Sequence, residues 1–201
     1  VSLNEINLQE EQTTKHKIFM AAARLFADKG YNGVSMREIS ELSGMSKPTI
    51  YYYFGNKEGI YKALVNEGLK HSSESFQKIR TLAVPVRCKL TELIRVHFRH
   101  CLNQPEFTKF ALSLFMLAGD TPFLESKREQ ANQLRRELME MIQEGKRSGE
   151  FGPTANPKLA AEIFLATFAH FFWRQQNTSQ QILTDQLAEE IVEFLFKGLN
   201  E

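Results

Sequence analysis

An all-α fold is what this 201-residue sequence predicts, on three observations. Apolar residues recur at helical spacing over long stretches, only six prolines interrupt them, and no run of alternating β-branched residues marks a strand. Hydrophobic residues at 42% and charged ones at 24% form an ordinary globular mixture, which excludes general disorder. The length suits one good core, or a small domain and a larger one. The most apolar stretch, Leu159 to Trp173, is too short to span a bilayer and is interrupted by Glu162 and His170.

Taken in order, residues 1–11 are polar and weakly patterned, a frayed tail or a short helical extension. Thr14 is placed to cap the first long helix, whose buried stripe is Ile18, Ala22, Leu25 and Phe26 and which Gly30 ends. Ser35 and Glu38 form a Ser-x-x-Glu capping box, so a short helix starts at Met36. Ile39 and Leu42 are its apolar stripe, and Gly44 supplies the left-handed stop. Ser46 caps a further helix with Pro48 in its first turn, where a missing N–H costs nothing. Ile50 and Phe54 share its inner face. Lys47, Pro48, Thr49, Tyr51 and Tyr52 are left on the outside. Helix, tight glycine turn, helix is the helix-turn-helix arrangement, whose second helix can lie in a DNA major groove. Neighbouring outward tyrosines suit such a surface, because a phenol offers a flat apolar face and a hydroxyl.

Asn56 caps a fourth helix expected from Lys57 to Leu82, about 40 Å long at 1.5 Å per residue, which reads as a connecting lever. Its first turn offers backbone amides and Lys57 together, a favourable phosphate site. Pro85 and Pro105 open the next two helices, Val86 to Leu102 and Pro105 to Gly119, and Thr121-Pro122 opens a seventh. Gly149-Glu150-Phe151-Gly152-Pro153 is a loop, after which come Pro157 to Gln175 and Ile182 to Leu199. These last two helices are apolar on more than one face. Leu187, Ile191 and Phe194 form one stripe of the last helix and Val192, Phe196 and Leu199 another, as expected where a helix faces both its own core and a second copy of the chain.

Net charge is only +1, yet residues 13–62 hold eight Lys and Arg against four Asp and Glu, an excess of four, which leaves the remainder at −3. A locally positive module is what phosphate attraction requires. Cys88 and Cys101, thirteen residues apart on one predicted helix, stand about 20 Å from each other, beyond bridging distance. With no secretory pattern at the start, the cytoplasm is the expected location.

No nucleotide-binding glycine loop, zinc-protease motif or nucleophile elbow occurs, so no enzyme is predicted and no cofactor. His97, His100 and Cys101 are the one metal-like pattern. Two ligands at i, i+4 do not close a site, and no metal is expected there. Thirteen of the sixteen phenylalanines follow residue 75, as core or as the wall of an apolar cavity.

The run Ala23-Arg24-Leu25-Phe26, Gly30-Tyr31, Ser35-x-x-x-Ile39, Gly44-Met45-Ser46, Thr49-Ile50-Tyr51-x-Tyr53-Phe54 and Asn56-Lys57-Glu58 resembles the TetR family of bacterial transcriptional repressors over the first third of the chain. Val34 stands where that family usually has threonine, Ser40 and Ser43 where alanines are common, and Gly59 where an acidic residue often follows. The resemblance implies a head, residues 1–55, that binds DNA, and a domain, residues 56–201, that binds an effector and forms a homodimer through its last two helices. By position in the motif, Arg37 reaches a base edge while Ser35, Tyr53 and Lys57 contact phosphate. The same resemblance favours a pocket for a small hydrophobic effector, for which His97, Phe98, Cys101, Phe107, Phe110, Leu114, Phe168 and Phe172 are the candidate lining. The expectation is a repressor that grips a palindromic operator as a homodimer and lets go when the effector binds. The alternative is a small-molecule or metal sensor whose head contacts another protein.

Overall fold

The structure, a computed structural model, describes residues 3–116 and 124–200, with side chains except at 3–11, 69, 71–72, 115–116, 124–131 and 198–200. Among these residues the chain forms α1 (Leu3–Lys29), α2 (Met36–Ser43), α3 (Lys47–Phe54), α4 (Lys57–Arg80), α5 (Val86–Asn103), α6 (Pro105–Met116), α7 (Leu124–Arg147), α8 (Pro157–Gln176) and α9 (Asp185–Asn200), and no strand. The all-α expectation holds, with differences at helix ends, of which those of α1, α4 and α9 exceed one residue. α1 begins at Leu3, so Thr14 lies inside the helix instead of capping it; residues 3–13 contain no glycine or proline to stop the helix. α4 ends at Arg80, two residues early. α9 starts at Asp185, because Gln175 Oε1 accepts the amides of Ile182 (2.8 Å) and Leu183 (3.3 Å) and so holds the preceding segment off the helix. Thr184 Oγ1 then accepts the Leu187 amide at 3.0 Å as the cap. The expected end of the sixth helix at Gly119, the start of the seventh at Thr121-Pro122, and Leu199 as a stripe residue lie outside what is described.

The chain forms two compact units, and they do not divide at residue 55. The first runs through Gly68, within α4, and takes in α6 from Glu106 onward. Ile18, Ala22, Phe26, Ile39, Ile50, Ile60 and Leu64 are almost wholly buried in it. Tyr61 joins them with its ring edge-on to Phe26 (5.2 Å) and to Phe110 (5.4 Å), so α1, α4 and α6 share one aromatic centre. Gly68 makes room for α6, since a Cβ there would stand 3.0 Å from the Phe107 ring.

The second unit holds the rest of α4, α5, and α7 to α9. Its core gathers Phe76 and Ile79 of α4, Leu90, Leu93, Ile94, Phe98 and Cys101 of α5, Leu138, Met141 and Ile142 of α7, Phe164 of α8 and Val192 of α9. Pro85 offers no side-chain cap to α5; instead the Glu150 carboxylate, from the loop after α7, accepts the amides of Val86 (3.0 Å) and Arg87 (3.2 Å). Lys89 is buried and donates to Glu144 at 3.0 Å, which satisfies a charge that burial would otherwise penalise. Cys88 is exposed, Cys101 is buried, and no disulfide joins them. Among the described residues no helix is long and apolar enough to cross a membrane.

Candidate functional site

The helix-turn-helix forms as its local chemistry dictates. Ser35 Oγ accepts the Glu38 amide at 3.3 Å and Glu38 Oε2 accepts the Ser35 amide at 2.8 Å, which completes the capping box. Gly44 adopts φ +69, a left-handed turn closed to most side chains. Two serines that depart from the usual alanines tie this turn: Ser40 Oγ donates to the Met45 carbonyl at 2.7 Å, and Ser43 Oγ accepts the Met45 amide at 3.3 Å. Ser46 Oγ accepts the Thr49 amide at 3.3 Å and is 2.7 Å from Thr49 Oγ1, so α3 starts on a defined cap.

The outer face of α3 carries Lys47 and Pro48, both exposed, with Tyr51 at 48% and Tyr52 at 80% exposure. Thr49 is half-buried, its hydroxyl engaged with Ser46. Tyr53 is half-buried, with its ring 5.0 Å from that of Tyr52 and the Lys15 ammonium 5.2 Å over it. Ser35 and Arg37 are exposed on α2's approach, and Arg37 Nε donates to Glu41 at 2.7 Å. Lys57 is turned inward. Its ammonium donates to the carbonyls of Tyr31 (3.0 Å) and Val34 (2.8 Å) and lies 4.5 Å from the centre of the Tyr31 ring, which ties the start of α4 to the turn before α2.

Gly59, the glycine in place of an acidic residue, has a steric reason: a Cβ there would stand 1.9 Å from the Phe54 carbonyl oxygen at the end of α3. Its amide donates to Asn56 Oδ1 at 2.8 Å, the cap that starts α4. Charge on this face is also set by Glu38. The Lys29 ammonium first, then the Ser35 hydroxyl and amide, hold its carboxyl down at about 2 from the ordinary 4.5.

The candidate effector residues separate into two groups. Phe107, Phe110 and Leu114 belong to the first unit, where Phe107 stacks on Phe19 at 5.9 Å and lies 6.4 Å from Phe110. His97, Phe98, Cys101, Phe168 and Phe172 belong to the second. There the Phe168 ring lies 5.4 Å from His97, 6.4 Å from Phe98 and 5.6 Å from Phe172, and Gln176 approaches the Cys101 sulfur at 4.0 Å. His97 Nδ1 is 2.8 Å from the Leu93 carbonyl of its own helix. A cavity of about 270 Å³ in this unit is lined by Phe98, Arg99, Leu102, Gln181, Leu183, Thr184 and Asp185. Only Phe98 of these was among the candidates, since the others are polar or isolated in sequence and come together through the turn into α9. Among the described residues no three His, Cys, Asp or Glu side chains gather as a metal site.

Residues 18–64 match the family model described as bacterial regulatory proteins, tetR family. The chain is 24% identical over 192 residues to the HTH-type transcriptional regulator RutR of Escherichia coli strain K12, covering 92% of this chain and 90% of that one. It is 26% identical over 102 residues to the HTH-type transcriptional repressor NicS of Pseudomonas putida, a match over 51% of this chain and about half, 48%, of that repressor. Of solved structures, the transcriptional regulator FadR from Bacillus subtilis in complex with stearoyl-CoA superposes with a TM-score of 0.71 at 23% identity, over 92% of this chain and 99% of that one. The capped helix-turn-helix, the family match over residues 18–64 and these relatives make the chain similar to the TetR-family transcriptional regulators.

Proposed function

We propose that the protein is a repressor that binds a palindromic operator as a homodimer in the cytoplasm and is released by a small hydrophobic effector. The observation that carries the DNA-binding half is the outer face of α3: two aromatic side chains, Tyr51 and Tyr52, stand exposed beside Lys47 and Pro48 on a helix capped at Ser46. Exposed aromatic surface next to a cation is costly to leave in water and suited to base edges and phosphate. Arg37 joins this face, with Ser35 and Tyr53 at its phosphate margin.

Pairing of two copies is supported by α8. Leu159, Ile163, Ala166, His170 and Trp173, spaced by four, three, four and three residues, are all exposed along one stripe of it. That is the spacing at which a helix meets another helix. On α9, Phe194 is 78% exposed, which adds an aromatic anchor to the same proposal. Two heads held by such a dimer would present recognition helices about 34 to 36 Å apart, one turn of duplex.

For the effector, the rings of Phe98, Phe168 and Phe172 beside His97 make an apolar setting with few polar groups, and the FadR structure holds an acyl-CoA. A long acyl chain or an aromatic compound is therefore the chemical class to try first. To reverse a 99:1 bound population, such a ligand must prefer the non-binding state by about 5.5 kcal/mol. The test is to sequence fragments retained from sheared genomic DNA by the purified protein, with and without acyl-CoA esters or aromatic compounds, and to sediment the protein alone. An inverted repeat, a dimer and ligand-dependent release are expected. A monomer that retains no duplex at low ionic strength would overturn the reading.

A further inference from the structure

On α2 an ion pair within the helix stands where the first helix of a helix-turn-helix crosses the DNA backbone. Arg37 Nε donates to Glu41 Oε1 at 2.7 Å, with the two side chains 77% and 59% exposed. At 100° per residue they lie about 160° and 200° round the helix from Ile39, which is fully buried, so both occupy the outward face. Arg37 is the only cation in α2. The other carboxylate of the helix, Glu38, is committed to Lys29 and Ser35 and is not a competitor for Arg37. An exposed pair one helical turn apart contributes little to folding, so stability does not account for the arrangement. Its electrostatic effect on a polyanion is larger, because Glu41 cancels the one positive charge that α2 would bring to phosphate.

We propose that Glu41 is a specificity-determining residue of the head: it holds the Arg37 guanidinium along α2 and withholds it from generic phosphate. Arg37 then engages only where a duplex offers a better acceptor, such as the O6 and N7 pair of a guanine, which takes two guanidinium donors at once. The inference rests on the DNA-binding reading above and adds a negative element to it: the carboxylate penalises wrong sequences more than the right one.

The test uses the full chain, an operator duplex recovered by wild-type selection from a random pool, and a scrambled duplex of the same composition, in fluorescence-anisotropy titrations over a salt series. Glu41→Gln is expected to tighten binding to the scrambled duplex about two- to fivefold, the range in which exposed pairs act. It should steepen the salt dependence by about 0.9 per head and tighten the operator less, so that the specificity ratio falls. In an Arg37→Gln background the same change should have no effect. Glu41→Ala, which also lacks the carboxylate, should match Glu41→Gln, and thermal melts of both should track the wild type. Equal tightening on both duplexes, an undiminished effect without Arg37, or no change at all would overturn the inference. Wild-type protein that selects no duplex would instead remove the DNA-binding reading, and this inference with it.

Discussion

Lys57 shows how the place of a side chain in a motif and its partners in the fold can point to different uses. Its place in the motif and at a helix start suggests phosphate, but two of its three donors are taken by the Tyr31 and Val34 carbonyls. Lys57→Gln should therefore cost about 1–3 kcal/mol by stranding those carbonyls, seen as a lower denaturant midpoint at an unchanged m-value. The salt slope of DNA binding should hardly move, whereas loss of a direct phosphate contact would reduce it by about 0.9. Glu38 gives a pH prediction. Its carboxyl lies at about 2 in the folded head and at the ordinary 4.5 in the unfolded chain, so its contribution is complete above pH 4.5 and is lost as pH falls through 2. Melting temperatures of Glu38→Gln over that range should fall less steeply with acid than those of the wild type. Neither carbonyl partner of Lys57 was legible in sequence, because a backbone oxygen 23 or 26 residues away leaves no mark in residue type. The need for Gly59 was equally hidden, since it comes from the path of the preceding helix. Gly59→Ala should destabilise the head by about 1–3 kcal/mol, as overpacking does, measurable in the same denaturant series.

At the scale of the helix, what could be read from sequence was what is decided within one turn. Ser35 with Glu38, Gly44, Ser46 and Pro48 fixed α2 and α3 to the residue, because each cap acts on an amide three residues on or on its own backbone angle. Ser46→Ala should cost about 1 kcal/mol by leaving that amide uncapped, and operator affinity should fall with it, since Thr49 loses the partner that orients it. Stopped-flow or equilibrium unfolding reads the first effect and anisotropy the second. Helix ends set by distant groups were missed. α9 starts late because Gln175, on α8, takes the two amides ahead of it, and nothing near Ile182 announces this. α1 starts early because no residue before Thr14 forbids it, and a possible cap inside a favourable run is not a stop.

For the molecule as a whole, helical class followed from periodicity, but membership of each unit did not. Phenylalanines at helical spacing look alike whichever core they enter, so sequence pattern alone does not separate Phe107 and Phe110 from Phe168 and Phe172, whereas α6 packs with α1 and the start of α4. The outward stripe of α8 belongs to this scale too. Leu159→Glu with Ile163→Glu should yield a monomer by sedimentation with little change in melting temperature, because both side chains are already exposed in the single chain, at 57% and 43%. The same protein should lose operator binding by far more than a change in one head, as two half-sites are no longer engaged together.

The Glu150 carboxylate at the front of α5 has a consequence for biosynthesis. The two amides it accepts precede it by 64 and 63 residues, so a chain emerging from the ribosome carries an unfinished fifth helix until the loop beyond the seventh has been made. The recognition motif has no such wait, as its stops and starts are supplied by near neighbours. Synthesis thus favours early formation of the helix-turn-helix and late completion of the second unit.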